Sequence, residues 1–116
     1  MPNFTLTPRT WTIASGASLS DTLNIEGANV EGIFFPATIT GSVLSFKVGY
    51  DSGSMVNLLD VNGIEVTIPI QAGKAVMLPY AMLRAWPFLA VRSGTSASPT
   101  SQGAAREIRM TTRLFS

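Results

Sequence analysis

In four separate stretches of this chain apolar residues recur at every second position. That period limits the possible fold more than any other feature. In SVLSFKVGY, Leu44, Phe46, Val48 and Tyr50 fall on one phase and Ser45, Lys47 and Gly49 on the other. In IEVTIPIQ, Ile64, Val66, Ile68 and Ile70 oppose Glu65, Thr67, Pro69 and Gln71. In LSDTLNIE, Leu19, Leu23 and Ile25 share a side that Asp21 interrupts. In REIRMTTRLF, Ile108, Met110 and Leu114 oppose Glu107, Arg109, Thr111 and Arg113. A strand sends successive side chains to opposite faces, so these runs read as strands. One packed and one wet face is the habit of antiparallel sheets.

Turn residues punctuate the runs at Ala14-Ser15-Gly16, Glu26-Gly27, Thr40-Gly41, Asp51-Ser52-Gly53, Asn62-Gly63 and Ala72-Gly73. Asn-Gly is the strongest short hairpin signal, because both residues tolerate positive φ. LLDVNGIEVTI therefore predicts a tight hairpin, and VGYDSGSMVNLL a second. Pro69 pushes its strand toward an edge. The expectation is about eight short antiparallel strands, all-β, in a sandwich or barrel. One helical turn is expected after Pro79, in PYAMLRAW. A length of 116 residues allows one domain. Residues 1–10, short, polar and proline-punctuated, read as an N-terminal arm on a partner, or as a disordered end.

Composition narrows the chemistry. Hydrophobic residues make up 46% and charged residues 13%, with a net charge of +1. Soluble domains average about 25% charged, so Ser, Thr, Asn and Gly must cover the surface here, or partners must. The small net charge gives no global sign of nucleic-acid binding. With no Cys and no His, disulfides, thiolate metal sites and the usual serine triad are excluded. MPNFTLTPRTW has no basic head followed by an apolar core, so no signal peptide is expected. AVMLPYAMLRAWPFLAV is broken by Pro79, Arg84 and Pro87 and makes a poor membrane span. No membrane partner and no cofactor are expected.

Four of the six arginines, Arg92, Arg106, Arg109 and Arg113, lie in VRSGTSASPTSQGAAREIRMTTR. RSGTS lacks the Lys and the following helix of a phosphate-binding loop. Asp51-Ser52-Gly53 and Asp60-Val61-Asn62-Gly63 each supply a single carboxylate, too few for calcium; such residues mostly bond their own turn. The seven acids fall in turns or on outward phases, except Asp21. A buried Asp21 would need a partner such as Arg92, on the phase of Phe88 and Ala90. Arg109 and Arg113 share a strand face while Arg106 points the other way, and a solvated or partner-facing sheet explains them better than a nucleic-acid groove. Trp11 and Tyr50 read as core or rim. Trp86 and Tyr80 are the candidates for stacking on a sugar.

Taken in order, ASGASLSDTLNIEG, GIFFPATITGSVLSFKVGYDSGS, LLDVNGIEVTIPIQAGKAVMLP and LAVRSGTSASPTSQGAAREIRMTTR resemble small all-β proteins encoded among the virion genes of tailed bacteriophages. The likeness is greatest to capsid decoration, or cement, proteins and to related jelly-roll modules of tails and spikes. It spans Trp11 to Arg113, and its most specific parts are Arg92-Ser93-Gly94-Thr95, Pro99, Gln102 and the basic last strand. Such proteins are expected to carry a Trp soon after Pro36-Ala37, where this chain has Thr38-Ile39.

The resemblance implies a jelly-roll β-sandwich with no enzymatic activity, a homotrimer bound to the major capsid protein on the outer surface of the head. It would be made in the bacterial host cytoplasm. It further implies that Arg92 anchors the long loop by hydrogen bonds, and that Arg106, Arg109 and Arg113 belong to structure or interface. The alternative is a receptor- or glycan-binding module of a tail fibre or head spike, using Trp86 and Tyr80. An enzyme, such as a small hydrolase, is the remaining reading.

Overall fold

A computed structural model describes residues 4–26, 28–79, 82, 83 and 85–115, with nothing said of the side chains of residues 4–8 and 114–115. The strands are β1 (Phe4–Ile13), β2 (Leu23–Asn24), β3 (Ala28–Phe34), β4 (Val43–Gly49), β5 (Val56–Asn57), β6 (Thr67–Pro69), β7 (Ala75–Met77), β8 (Phe88–Ser93) and β9 (Arg106–Phe115). No helix occurs among the described residues; the turn after Pro79 is closed by Met82 N–H donating to Pro79 O.

The strands form two antiparallel sheets. One has the order β1-β9-β3-β7; the other has β2-β8-β4-β5, with β6 also on β4. Every connection except β4 to β5 and β5 to β6 crosses from one sheet to the other. With β5 and β6 counted as two halves of one broken strand, this is the strand order of a jelly-roll sandwich.

The alternation explains the core. Trp11, Ile13, Ile108 and Met110 from the first sheet meet Leu44, Phe46, Val48, Leu89 and Val91 from the second, all buried. Trp11 spans the two layers: its Nε1–H donates to Leu89 O at 3.1 Å. In β3 a bulge at Glu31 shifts the register between Val30 and Gly32. An extra residue there re-aims the strand, so Val30 and Ile33, three apart, both reach the core.

Of residues 1–10, read as an N-terminal arm, 4–10 form the first part of β1 and pair with β9, and 1–3 lie outside the described residues. Two expectations about burial are corrected. Tyr50 lies beyond the end of β4 and is 92% exposed, although its phase would bury it. Asp21 is exposed and has no tie to Arg92; its Oδ1 accepts from Thr12 N–H at 2.8 Å.

The predicted hairpin at Asn62-Gly63 forms, but with a three-residue loop. Asp60 N–H donates to Ile64 O, Gly63 N–H donates to Asp60 O, and Gly63 has φ +78°. That is a turn followed by a left-handed glycine rather than a two-residue turn. Its placement is unusual. Asn57 pairs with Lys47 and Thr67 with Ser45, so only Phe46 lies opposite the nine residues 58–66. Leu58 and Val66 stay against the core, and residues 59–64 between them leave the sheet as a projecting hairpin. The second predicted hairpin, from β4 to β5, pairs Val48 with Val56.

Candidate functional site

Arg92 lies on the outer face of the second sheet, opposite Ser45 of β4. Its Nε donates to Ser45 Oγ at 3.0 Å, its Nη1 to Asn57 Oδ1 at 3.1 Å and its Nη2 to Glu65 Oε2 at 2.7 Å. Glu65 also accepts from Ser96 N–H at 3.1 and 3.2 Å. The guanidinium fork thus ties the base of the projecting hairpin to β8, and Glu65 passes the tie on to the loop that follows β8. Arg and Glu side chains here are 9% and 16% exposed. A paired, mostly buried guanidinium is not available to a phosphate.

The long loop after β8 is held at several points. Gly94 has φ +88°, and a Cβ there would sit 2.4 Å from Ser98 O. Only glycine permits this approach. Gln102, buried, treats Thr40 as a strand would: Nε2 donates to Thr40 O at 2.7 Å and Oε1 accepts from Thr40 N–H at 2.9 Å. Arg106 Nε donates to the same Oε1 at 3.2 Å. Gln102 N–H and O also bond Ala17 O and Gly16 N–H. This loop is therefore built into the fold.

The remaining arginines sit on β9. Arg113 Nε donates to Glu31 Oε1 at 2.8 Å. Arg109 lies 3.9 Å from Glu107, and its side chain is 69% exposed. Arg109 and Arg113 share the outer face while Arg106, on the phase of Ile108 and Met110, points toward the core side, as the alternation requires. The two aspartates of the predicted turns bond their own backbone. Asp51 Oδ1 accepts from Gly53 N–H, and Asp60 Oδ1 from Asn62 and Ile64 N–H. These are the self-bonded turns the sequence implies. Among the described residues, no group of three or more acids, His or Cys is placed to hold a metal ion, and no helix is long and apolar enough to cross a membrane.

Apart from Leu19, the large apolar side chains left exposed fall in three places, the third around Tyr50 and Trp86. Phe34 and Met77 stand on the outer face of the first sheet, with Gly32 between them leaving a dent of about 270 Å³. Further depressions adjoin it, one walled by Arg109, Glu107 and Pro36, the other by Glu31, Leu78 and Pro79. Together they make a shallow trough along β3 and β7. The second place is the projecting hairpin, where Leu59, Val61 and Ile64 are exposed, with Val56 beside its base. The alternation would place Ile64 inward; the hairpin's departure from the sheet exposes it.

Trp86 is half-buried against the core and walls a depression of about 350 Å³ with Tyr50, Val56 and Pro87. Its Nε1 is buried without a partner, so the ring presents carbon surface to the depression and no donor. Tyr80 lies outside the described residues.

Two of the sheet edges, β1 and β6, are blunted. Thr12 N–H and O both bond Asp21, away from β9. Strand groups alternate in direction, so Pro8, four residues earlier, would also have pointed its N–H to the open edge. Ile70 N–H bonds the O of Ser42, the residue before β4, which makes the neighbouring Pro69 face its open edge too. Both prolines leave the ladders intact and remove a donor from the rim, a known guard against strand addition.

Comparison of the chain with protein-family models, with curated proteins and with solved structures finds no match in any of the three.

Proposed function

We propose that this is a non-enzymatic structural protein of a bacteriophage virion. In this reading it is a decoration or cement protein, a homotrimer that binds the major capsid protein on the outer surface of the head and stabilises the shell. The observation that carries it is the way charge and apolar surface are distributed. Arg92, Arg106 and Arg113 brace the sandwich, and most of the exposed large apolar side chains gather on two separate surfaces, the projecting hairpin and the β3–β7 trough. Such a molecule offers surfaces to other proteins. The sequence resemblance given above supplies the virion.

The physical logic is linkage. A protein that binds the assembled shell and not its dissociated subunits stabilises the shell by mass action. Several weak contacts on one trimer act together, so avidity replaces single-site strength. The test uses heads assembled without the protein. Added in trans, the purified protein cosediments with them and raises the temperature at which they release DNA. Heads that neither bind it nor gain heat resistance contradict the proposal.

A second reading, a glycan- or receptor-binding module of a tail fibre or spike, is favoured by one observation. Trp86 offers an unencumbered ring surface beside the exposed Tyr50, and pyranose rings stack on such surfaces. On a glycan array, signal from the wild type that disappears in Trp86→Ala supports it; empty arrays for both remove it.

A further inference from the structure

We infer that copies of this chain associate head to tail, the projecting hairpin of one molecule seating in the β3–β7 trough of the next. The inference rests on the self-associating reading above and names the surfaces it uses.

Three observations lead to it. First, the two exposed apolar surfaces differ in shape. The hairpin is convex and carries Val61 at 98% exposure at its tip. The trough is concave, and Gly32 leaves space in it beside Phe34 and Met77, the latter 88% exposed. A knob and a hollow fit each other, whereas neither fits its own copy.

Second, their charges are opposite. Residues 58–66 hold two acids and no cation; Glu65 is neutralised by Arg92, so Asp60 is the exposed acid the hairpin presents. The trough face and its β7 border hold three cations, Arg109, Arg113 and Lys74, against two acids, Glu31 and Glu107. Among the described residues Lys74 is in no ion pair, and Arg109 meets its acid only at 3.9 Å. Complementary potentials of this kind fix orientation more than they add affinity.

Third, the alternatives within the molecule are closed. Glu65 is held by Arg92 on the outer face of the second sheet, while the trough lies on the outer face of the first. A molecule's own hairpin is therefore tied to the layer opposite its own trough. Strand pairing through the β1 and β6 edges is blunted by Pro8 and Pro69, as described above. The hairpin of a second copy matches the trough in shape and charge.

A contact between two different surfaces is heterologous, and it generates a ring when the rotation closes. A homotrimer built this way has three identical knob-in-trough contacts. The trough and hairpin of each copy are both filled, and no apolar end remains.

The geometry permits a complementation test. Val61→Asp spoils the knob and spares the trough; Met77→Asp spoils the trough and spares the knob. Both side chains are almost fully exposed, so neither change touches the core, and matching thermal melts check this. Sedimentation velocity is then run on the wild type, on each variant, and on an equimolar mixture. The wild type sediments as an oligomer and each variant as a monomer. The mixture forms a one-to-one dimer and nothing larger, because only one productive contact exists between the two variants. Variants that keep the wild-type oligomer overturn the inference but leave self-association standing. A mixture of two monomeric variants that stays monomeric also overturns it, since the two surfaces then do not meet each other. A wild type that is itself monomeric overturns both this inference and the trimer.

Discussion

Arg92 illustrates how a fold poor in charge can use a charge without exposing it. Its guanidinium donates to Ser45, Asn57 and Glu65, which come from β4, β5 and the hairpin. A fork of fixed donors suits this task better than a lysine. Removing one partner of such a pair leaves the other buried and uncompensated, at a cost of about 3–5 kcal/mol. Arg92→Ala is therefore expected to lower unfolding free energy by about that much in a denaturant titration. The double replacement Arg92→Met with Glu65→Leu should recover most of the loss, because no lone charge remains. If Arg92→Ala costs no more than an exposed ion pair, about 0–1 kcal/mol, the brace described here is wrong.

At the scale of elements, the strand edges carry the clearest signature of selection against wrong pairing. Pro8 and Pro69 each stand where an N–H would face an open rim. Replacing both with Thr restores two donors and adds residues suited to strands. Pro8→Thr with Pro69→Thr is expected to keep the midpoint of thermal unfolding while aggregating faster on incubation, read by light scattering. Unchanged aggregation would mean the prolines guard nothing.

These elements also mark what the sequence could tell. The period of two in SVLSFKVGY and REIRMTTRLF correctly sends Leu44, Phe46, Val48, Ile108 and Met110 to the core, because β4 and β9 are central strands. The same period fails at Tyr50 and Ile64. Alternation assigns a phase but cannot see where a strand stops or where the chain leaves the sheet. Ser45, Asn57 and Glu65 gave no local sign of converging on Arg92, since their meeting depends on three non-local pairings. Asp21 looked buried by phase, yet it lies in the exposed bend that stitches β1 to β8. In β3, Val30 and Ile33 are spaced by three, and only the bulge at Glu31 reconciles them with a strand.

For the whole molecule, bracing and exposure are complementary. Trp11 joins the two layers, Gln102 and Gly94 lock the longest loop, and Arg92 fixes the hairpin. What such a frame holds out to solvent is a rigid apolar knob and a rigid apolar trough. Preorganised surfaces lose little freedom on association, so modest contacts suffice when a closed ring repeats them. The most direct test of this account is the mass of the purified wild-type protein by light scattering over a concentration series. The account predicts a species three times the 12.3 kDa chain mass, persisting on dilution until it falls to monomer. A single 12.3 kDa species at every concentration would contradict it.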